Sequence, residues 1–252
     1  MAFEYATRAS RGARSYQEDT AEVRAGEAGN AVALAAVLAD GMGGHAGGAL
    51  ASGLACKFFL HGFTSSSGDI PARLQEALEL ANDAIAKEVA ENPALSGMGC
   101  TLVGAAFGTS GLEWVSVGDS PLFLVREGEI VLLNEDHSLA PEIDKLAAAG
   151  RMSWEEAKAD PRRHFLRSAL TGHDIDLLDR SRRPLALQPG DVVIIASDGI
   201  HTLGHAEILS VAQDSEAGSA EDLAEALLAA VAAAGDAYQD NTTVVVVRGS
   251  GD

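Results

Sequence analysis

The sequence predicts a mixed α+β fold in which helices and antiparallel strands occupy separate layers. Between Cys100 and Asn134, four apolar segments (CTLVGAAF, LEWVSVG, PLFLVRE and IVLLN) follow one another across Gly-bearing turns, the pattern of consecutive antiparallel strands. Two stretches with helical apolar spacing lie together at residues 45–63 and 71–91. A third, AEDLAEALLAAVAAAG at 220–235, is rich in strong helix formers and ends at Gly235.

In chain order, AVALAAVLA at 31–39 reads as a buried strand, followed by the helix from HAGGALASGLACKFFLHGF. SSSGD at 65–69 is a polar turn leading to the second helix. After Pro93 the four apolar segments predict an antiparallel meander, with EGE at 127–129 in one of its turns. Residues 141–170 are polar, charged and locally helical, interrupted by Pro161, and strand character returns at 191–197 and 241–248. No linker or low-complexity stretch divides the 252 residues, which read as a single domain from 1 to 252.

Hydrophobic residues make up 47% of the chain, enough for a sizeable core. Eighteen basic against 37 acidic residues leave a net charge of −19, which argues against nucleic acid or an anionic membrane as a partner. An acidic helical surface that confers solubility accounts for most of that charge. Cys56 and Cys100 sit among apolar or small neighbours and read as buried thiols. The N-terminal MAFEYATRASRG has no apolar signal core, and no run approaches the ~20 apolar residues of a membrane helix, so a cytoplasmic, soluble protein is expected. No coiled-coil heptad is present, and a monomer is expected.

Four short acidic clusters stand beside the apolar runs: Glu18-Asp19 in RSYQED, Asp40-Gly41 in LADGMGG, Asp198 in ASDGI and Asp240-Asn241 in QDNTTVVVV. Each carboxylate is expected at a strand end, where distant segments can converge. Two carboxylates ~4 Å apart repel by about 4 kcal/mol at an effective dielectric of ~20, so their convergence calls for a cation. Oxygen ligands without His or Cys favour Mg²⁺ or Mn²⁺. The glycines of DGMGG let the chain leave its strand sharply and bring backbone close to a ligand. An isolated Asp-Gly is more often a simple turn; four acidic clusters in this arrangement are not explained that way.

The ordered series GARSYQED, LADGMGGHAGG, GCTLVGA, VSVGDSPLFLV, NEDHS, PRRHFLRSAL, ASDGI and DNTTVVVV resembles the metal-dependent Ser/Thr protein phosphatases of type 2C (PPM), in their compact bacterial form, over nearly the whole chain. The resemblance implies a four-layer α-β-β-α sandwich, two antiparallel sheets face to face, each flanked by helices, with metals between the sheet ends. It implies two Mn²⁺ or Mg²⁺ ions bridged by Asp40, with the Gly41 carbonyl on one of them, Glu18 joining the second, and Asp198 and Asp240 completing the first. Asp19 would orient water from behind the ligands. The implied reaction is in-line attack on phosphoserine or phosphothreonine by a metal-bridging water, without a phosphoenzyme. The implied partners are phosphoproteins, including a cognate Ser/Thr kinase.

Arg14, four residues before Glu18, matches the family's phosphate-binding arginine, and a guanidinium suits a bidentate grip on phosphate. Asp119, with Asp198, would form a third, weaker metal site. Two departures bear on it: Thr202 stands where relatives often carry a second Asp, and Pro121 follows GDS where an Arg is usual. His45, directly after DGMGG, is the candidate proton donor to the leaving oxygen, against the simpler reading of a residue packing at a helix start. His137 in NEDHS is expected to support a turn. The segment from about 147 to 170 resembles the flap of bacterial members, with Arg162, Arg163 and His164 as candidate substrate contacts or, more plainly, a solvated basic patch.

Two alternatives stand beside this reading. GDS at 118–120 resembles an esterase nucleophile motif with Ser120 as the nucleophile, but leaves the acidic clusters unexplained. The departures at Pro121 and Thr202 leave open a catalytically weak pseudophosphatase that binds phosphorylated partners.

Overall fold

Carboxylate-bearing loops gather at one end of two facing antiparallel sheets in a computed structural model that describes residues 2–26, 31–44, 46–215 and 218–250. The elements in chain order are β1 (Ala2–Ser10), β2 (Thr20–Ala25), β3 (Val32–Ala39), β4 (Gly41–Met42), α1 (Ala46–Ser65), α2 (Ile70–Glu91), β5 (Gly99–Cys100), β6 (Leu102–Gly108) and β7 (Gly111–Val117). They continue with β8 (Leu122–Arg126), β9 (Glu129–Leu132), α3 (Ala140–Ala148), α4 (Trp154–Ala159), β10 (Asp179–Arg180), β11 (Val192–Ala196), α5 (His205–Asp214), α6 (Ala220–Ala234) and β12 (Thr242–Ser250).

One sheet runs β1-β12-β11-β8-β9 and the other β10-β7-β6-β3-β2, while β4 and β5 form a two-stranded ribbon. The continuous apolar runs arise because the central strands are covered on both faces, and alternation assigns each residue a layer. In β3, Ala35, Val37 and Ala39 face the core shared with α1 and α2, while Leu34, Ala36 and Leu38 enter the core between the sheets. In β12, Val244 and Val246 pack towards α5 and α6, and Val245 and Val247 point between the sheets. The layers are therefore α1/α2, sheet, sheet, α5/α6, the expected sandwich.

The meander is corrected in one respect. β6 pairs with β7 and β8 with β9, but the two hairpins lie in different sheets. The crossover occurs at Gly118-Asp119-Ser120-Pro121, where Gly118 adopts φ +101°, a conformation that a β-carbon disfavours. Cys56 and Cys100 are buried free thiols, as expected. Among the described residues, no helix is long and apolar enough to cross a membrane.

The 141–170 segment folds as α3 and α4 around a small core of Ile143, Ala147 and Ala157. Ser153 caps α4 reciprocally with Glu156, and a short helical turn at 161–164 begins at Pro161.

Candidate metal and phosphate site

Asp40, Asp198 and Asp240 stand where strands end or begin: directly after β3, just after β11 and two residues before β12. Glu18 and Asp19 immediately precede β2. With Arg14, Gly41 and Asp119, all but Asp19 line one cavity of about 970 Å³, which also takes in Met42, Thr101, Asn241 and residues 164–169 of the flap.

Hydrogen bonds hold the backbones of Asp40 and Glu18. The Asp40 N–H donates to Thr101 Oγ1 at 3.1 Å, and its carbonyl accepts from Thr101 N at 2.9 Å. Asn241 Oδ1 accepts from Glu18 N at 2.8 Å, while its amide donates to the Arg11 and Tyr16 carbonyls, both at 2.9 Å. That buried side chain ties the RSYQED loop to β12. The Glu18 carbonyl accepts from Gly41 N at 3.1 Å and from Ser52 Oγ at 2.6 Å. Gly48 allows this close packing: a β-carbon there would stand 2.3 Å from Glu18 Oε1.

Asp19 lies behind the cavity, its Oδ2 accepting from Ser197 Oγ at 2.7 Å, and Ser197 Oγ also accepts from Thr243 N at 2.9 Å. Asp119 follows Gly118, whose N–H donates to His137 Nδ1 at 3.2 Å and whose carbonyl accepts from His137 N at 3.1 Å. His137 therefore supports the turn, as expected.

The electrostatics are those of crowded, desolvated acids. Burial pushes Asp40 well above the usual carboxylate range, and the charges of Asp19, Asp198, Asp119 and Asp240 push it further. Burial and then Asp240 raise Asp198, which shares a hydrogen bond with Asp40. Burial raises Asp119 to about 8 and Asp19 to about 6. Glu18 Oε1 and Asp19 Oδ1 are buried without hydrogen-bond partners. Orphaned anionic oxygens beside a cluster of acids, with no sulfur or imidazole among them, suit hard divalent cations. The cluster is not a closed cage: among the described residues no three such groups already converge at metal-holding spacing, and Asp240 turns towards Arg14, its Oδ2 2.5 Å from Nη2.

Of the flap candidates, only His164 lines the cavity. Arg162 and Arg163 do not line it and are engaged within the flap. Arg162 grips Asp160 at 2.6 Å and Arg163 grips Asp144 at 2.5 Å, so both cations serve the flap's own structure. His45 lies outside the described residues. Ser120 is 1% exposed with its hydroxyl 2.7 Å from Thr101 Oγ1, which removes it as an esterase nucleophile. The sequence reading missed His173, Asp174 and Asp176, which line the cavity from the stretch after the flap. Asn82 holds that stretch by accepting from Gly172 N at 2.9 Å and donating to the His173 carbonyl at 2.8 Å, a link that no local pattern signals.

The sequence profile described as Protein phosphatase 2C matches residues 11–237. The chain is 37% identical over 202 residues, 79% of its length, to the serine/threonine protein phosphatase PstP of Mycobacterium tuberculosis, and spans 37% of that relative. It is 32% identical over 169 residues to the serine/threonine phosphatase stp of Listeria innocua, covering 65% of each. A crystal structure of the Mycobacterium tuberculosis phosphatase PstP/Ppp matches with TM-score 0.82 and 34% identity over 100% of both chains. A structure of the PstP catalytic domain in complex with two manganese ions matches with TM-score 0.79 and 34% identity over 99% of each chain. The chain belongs to the protein phosphatase 2C family.

Proposed function

We propose that this chain is a metal-dependent serine/threonine phosphoprotein phosphatase. The observation that supports it most directly is the single cavity shared by Glu18, Asp40, Gly41, Asp119, Asp198 and Asp240 with Arg14 beside them. Asp40, the Gly41 carbonyl, Glu18, Asp198 and Asp240 would hold two Mn²⁺ or Mg²⁺ ions, and Asp119 with Asp198 a weaker third. Such cations, when bound, offset charge on the phosphoryl oxygens and acidify water at the site.

The chain's own residues have complementary tasks. Arg14 carries a planar fork of donors that matches two phosphate oxygens. Asp19, fixed through one oxygen by Ser197, keeps the other free to accept a hydrogen bond from water. His164 and His173 face the cavity and can pass a proton to the departing seryl or threonyl oxygen. His45 remains a candidate for the same task.

We read the whole chain as one catalytic domain with a flap at about 147–170, acting as a cytoplasmic monomer on phosphoproteins that include a Ser/Thr kinase. A catalytically weak phosphoprotein binder finds no support. Thr202 and Pro121 both have structural partners, the Thr202 hydroxyl donating to Gln239 Oε1 at 2.6 Å and the Pro121 carbonyl accepting from Ala196 N at 3.0 Å, and the carboxylates of Glu18, Asp40, Asp119, Asp198 and Asp240 all line the cavity.

Phosphate release from matched phosphoserine, phosphothreonine and phosphotyrosine peptides with Mn²⁺ present tests the substrate class. Turnover of the first two with little of the third is expected. Equal or preferred turnover of phosphotyrosine would contradict the assignment.

A further inference from the structure

Gln239 is a buried polar residue, 8% exposed, that the sequence reading gave no role. Its side-chain nitrogen donates to the Gly199 carbonyl at 3.0 Å, to Thr242 Oγ1 at 3.1 Å and to the Asp240 carbonyl at 3.2 Å. Its oxygen accepts from the Thr202 hydroxyl at 2.6 Å. Its backbone carbonyl accepts from Ala13 N at 2.8 Å, one residue before Arg14. The partners fix the amide's orientation, because a flipped amide would set its oxygen against the carbonyls of Gly199 and Asp240. The neutral side chain thus joins the Asp198 turn to the Asp240 loop, and the backbone carbonyl of the same residue ties in the loop carrying Arg14.

The turn at 198–202 is held at both ends. Ser197 N donates to the Thr243 carbonyl at 3.0 Å on one side, and Thr202 donates to Gln239 on the other. Asp198 begins this turn, and Asp240 follows Gln239 directly. The carboxylates repel when no cation lies between them, so a neutral tether that keeps them near one another raises the local affinity for a cation. A glutamate at 239 would lose the amide donors and place an anion against two carbonyls. A valine at 202 would keep the shape of threonine and leave Gln239 Oε1 without its hydroxyl.

We propose that Gln239 and Thr202 form a positioning pair that fixes the spacing of Asp198 and Asp240 and thereby sets the affinity of the cation between them. The inference rests on the reading of Asp198 and Asp240 as metal ligands. It makes Thr202 the anchor of a neutral brace for the metal site.

The test is calorimetric titration of chelator-treated protein with MnCl₂, for wild type, Thr202→Val, Thr202→Ser and Gln239→Leu, with metal-free melting temperatures alongside. Thr202→Val is expected to weaken Mn²⁺ binding by roughly tenfold and Gln239→Leu by more, as loss of residues supporting a metal ligand does. Thr202→Ser should bind as wild type does, and kcat at saturating Mn²⁺ should fall less than the affinity. Wild-type affinity in both Thr202→Val and Gln239→Leu would overturn the proposal, as would equal loss in Thr202→Ser. Absence of Mn²⁺ binding by wild type would instead overturn the underlying site reading, and this inference with it.

Discussion

Arg14 Nη2 lies 2.5 Å from Asp240 Oδ2, so the proposed phosphate-binding cation is held by a proposed metal ligand. The two charges satisfy each other within the cavity that both residues line. A divalent cation competes for Asp240 and leaves the guanidinium to the phosphate. Arg14→Ala should therefore leave Mn²⁺ affinity no weaker while lowering kcat/KM on a phosphopeptide by roughly 10²-fold, the cost of removing a donor aimed at developing charge. Its effect on stability should be small, because the pair is half exposed and such pairs contribute about 0–1 kcal/mol. Steady-state kinetics and Mn²⁺ titration of one variant check both halves.

Asp198 and Asp40 share a hydrogen bond within the acidic cluster. Asp198→Asn removes one of the charges that burial and proximity make unfavourable, so the metal-free melting temperature should rise or stay level. Hydrolysis should fall by roughly 10³-fold, since several kcal/mol of charge stabilisation are lost with the cation. Thermal unfolding in chelator, read beside turnover in Mn²⁺, separates these effects.

The raised carboxyls give metal-free stability a definite pH dependence. Asp19 is raised to about 6 and Asp119 to about 8, chiefly by burial, against 3.8 for an unperturbed aspartate. Below pH 4 these groups are protonated whether the chain is folded or not, and they cost nothing. Above it the unfolded chain ionises first while the folded chain keeps its protons, so stability falls with rising pH, by about 1.4 kcal/mol per pH unit for each proton retained. The decline should run at least to about pH 8, where Asp119 ionises too, and Asp40 and Asp198, which are also raised, add to it. Urea unfolding in chelator across this range is the measurement, and saturating Mn²⁺ should flatten the curve.

The fold offers an independent check at Gly104, where a β-carbon would meet the Phe59 ring at 2.0 Å. Gly104→Ala should cost about 1–3 kcal/mol by overpacking the interface between β6 and α1. Chemical denaturation measures the loss directly.

The central strands were legible in the sequence because burial on both faces leaves continuous apolar runs, as in β3 and β12. The carboxylates were legible because strand ends are. β1 was not: Ala6 is its one buried hydrophobic residue among those described, and its pairing partner β12 lies at the other end of the chain. The split of the meander at Gly118 was invisible, since one Gly-bearing turn can keep a chain within a sheet or send it to another. Arg162 and Arg163 have the composition of phosphate contacts, but their engagement with Asp160 and Asp144 depends on how the flap folds. Gln239 gave no signal for the same reason: its partners lie on loops that meet only in three dimensions.

Hydrolysis of a phosphothreonine peptide by chelator-treated protein, with Mn²⁺ or Mg²⁺ then restored and Asp198→Asn beside it, tests the central claim most directly. Phosphate release that depends on the added cation and disappears in the variant is the predicted result. Release that survives chelation, or that Asp198→Asn retains in full, would contradict a phosphatase built on these carboxylates.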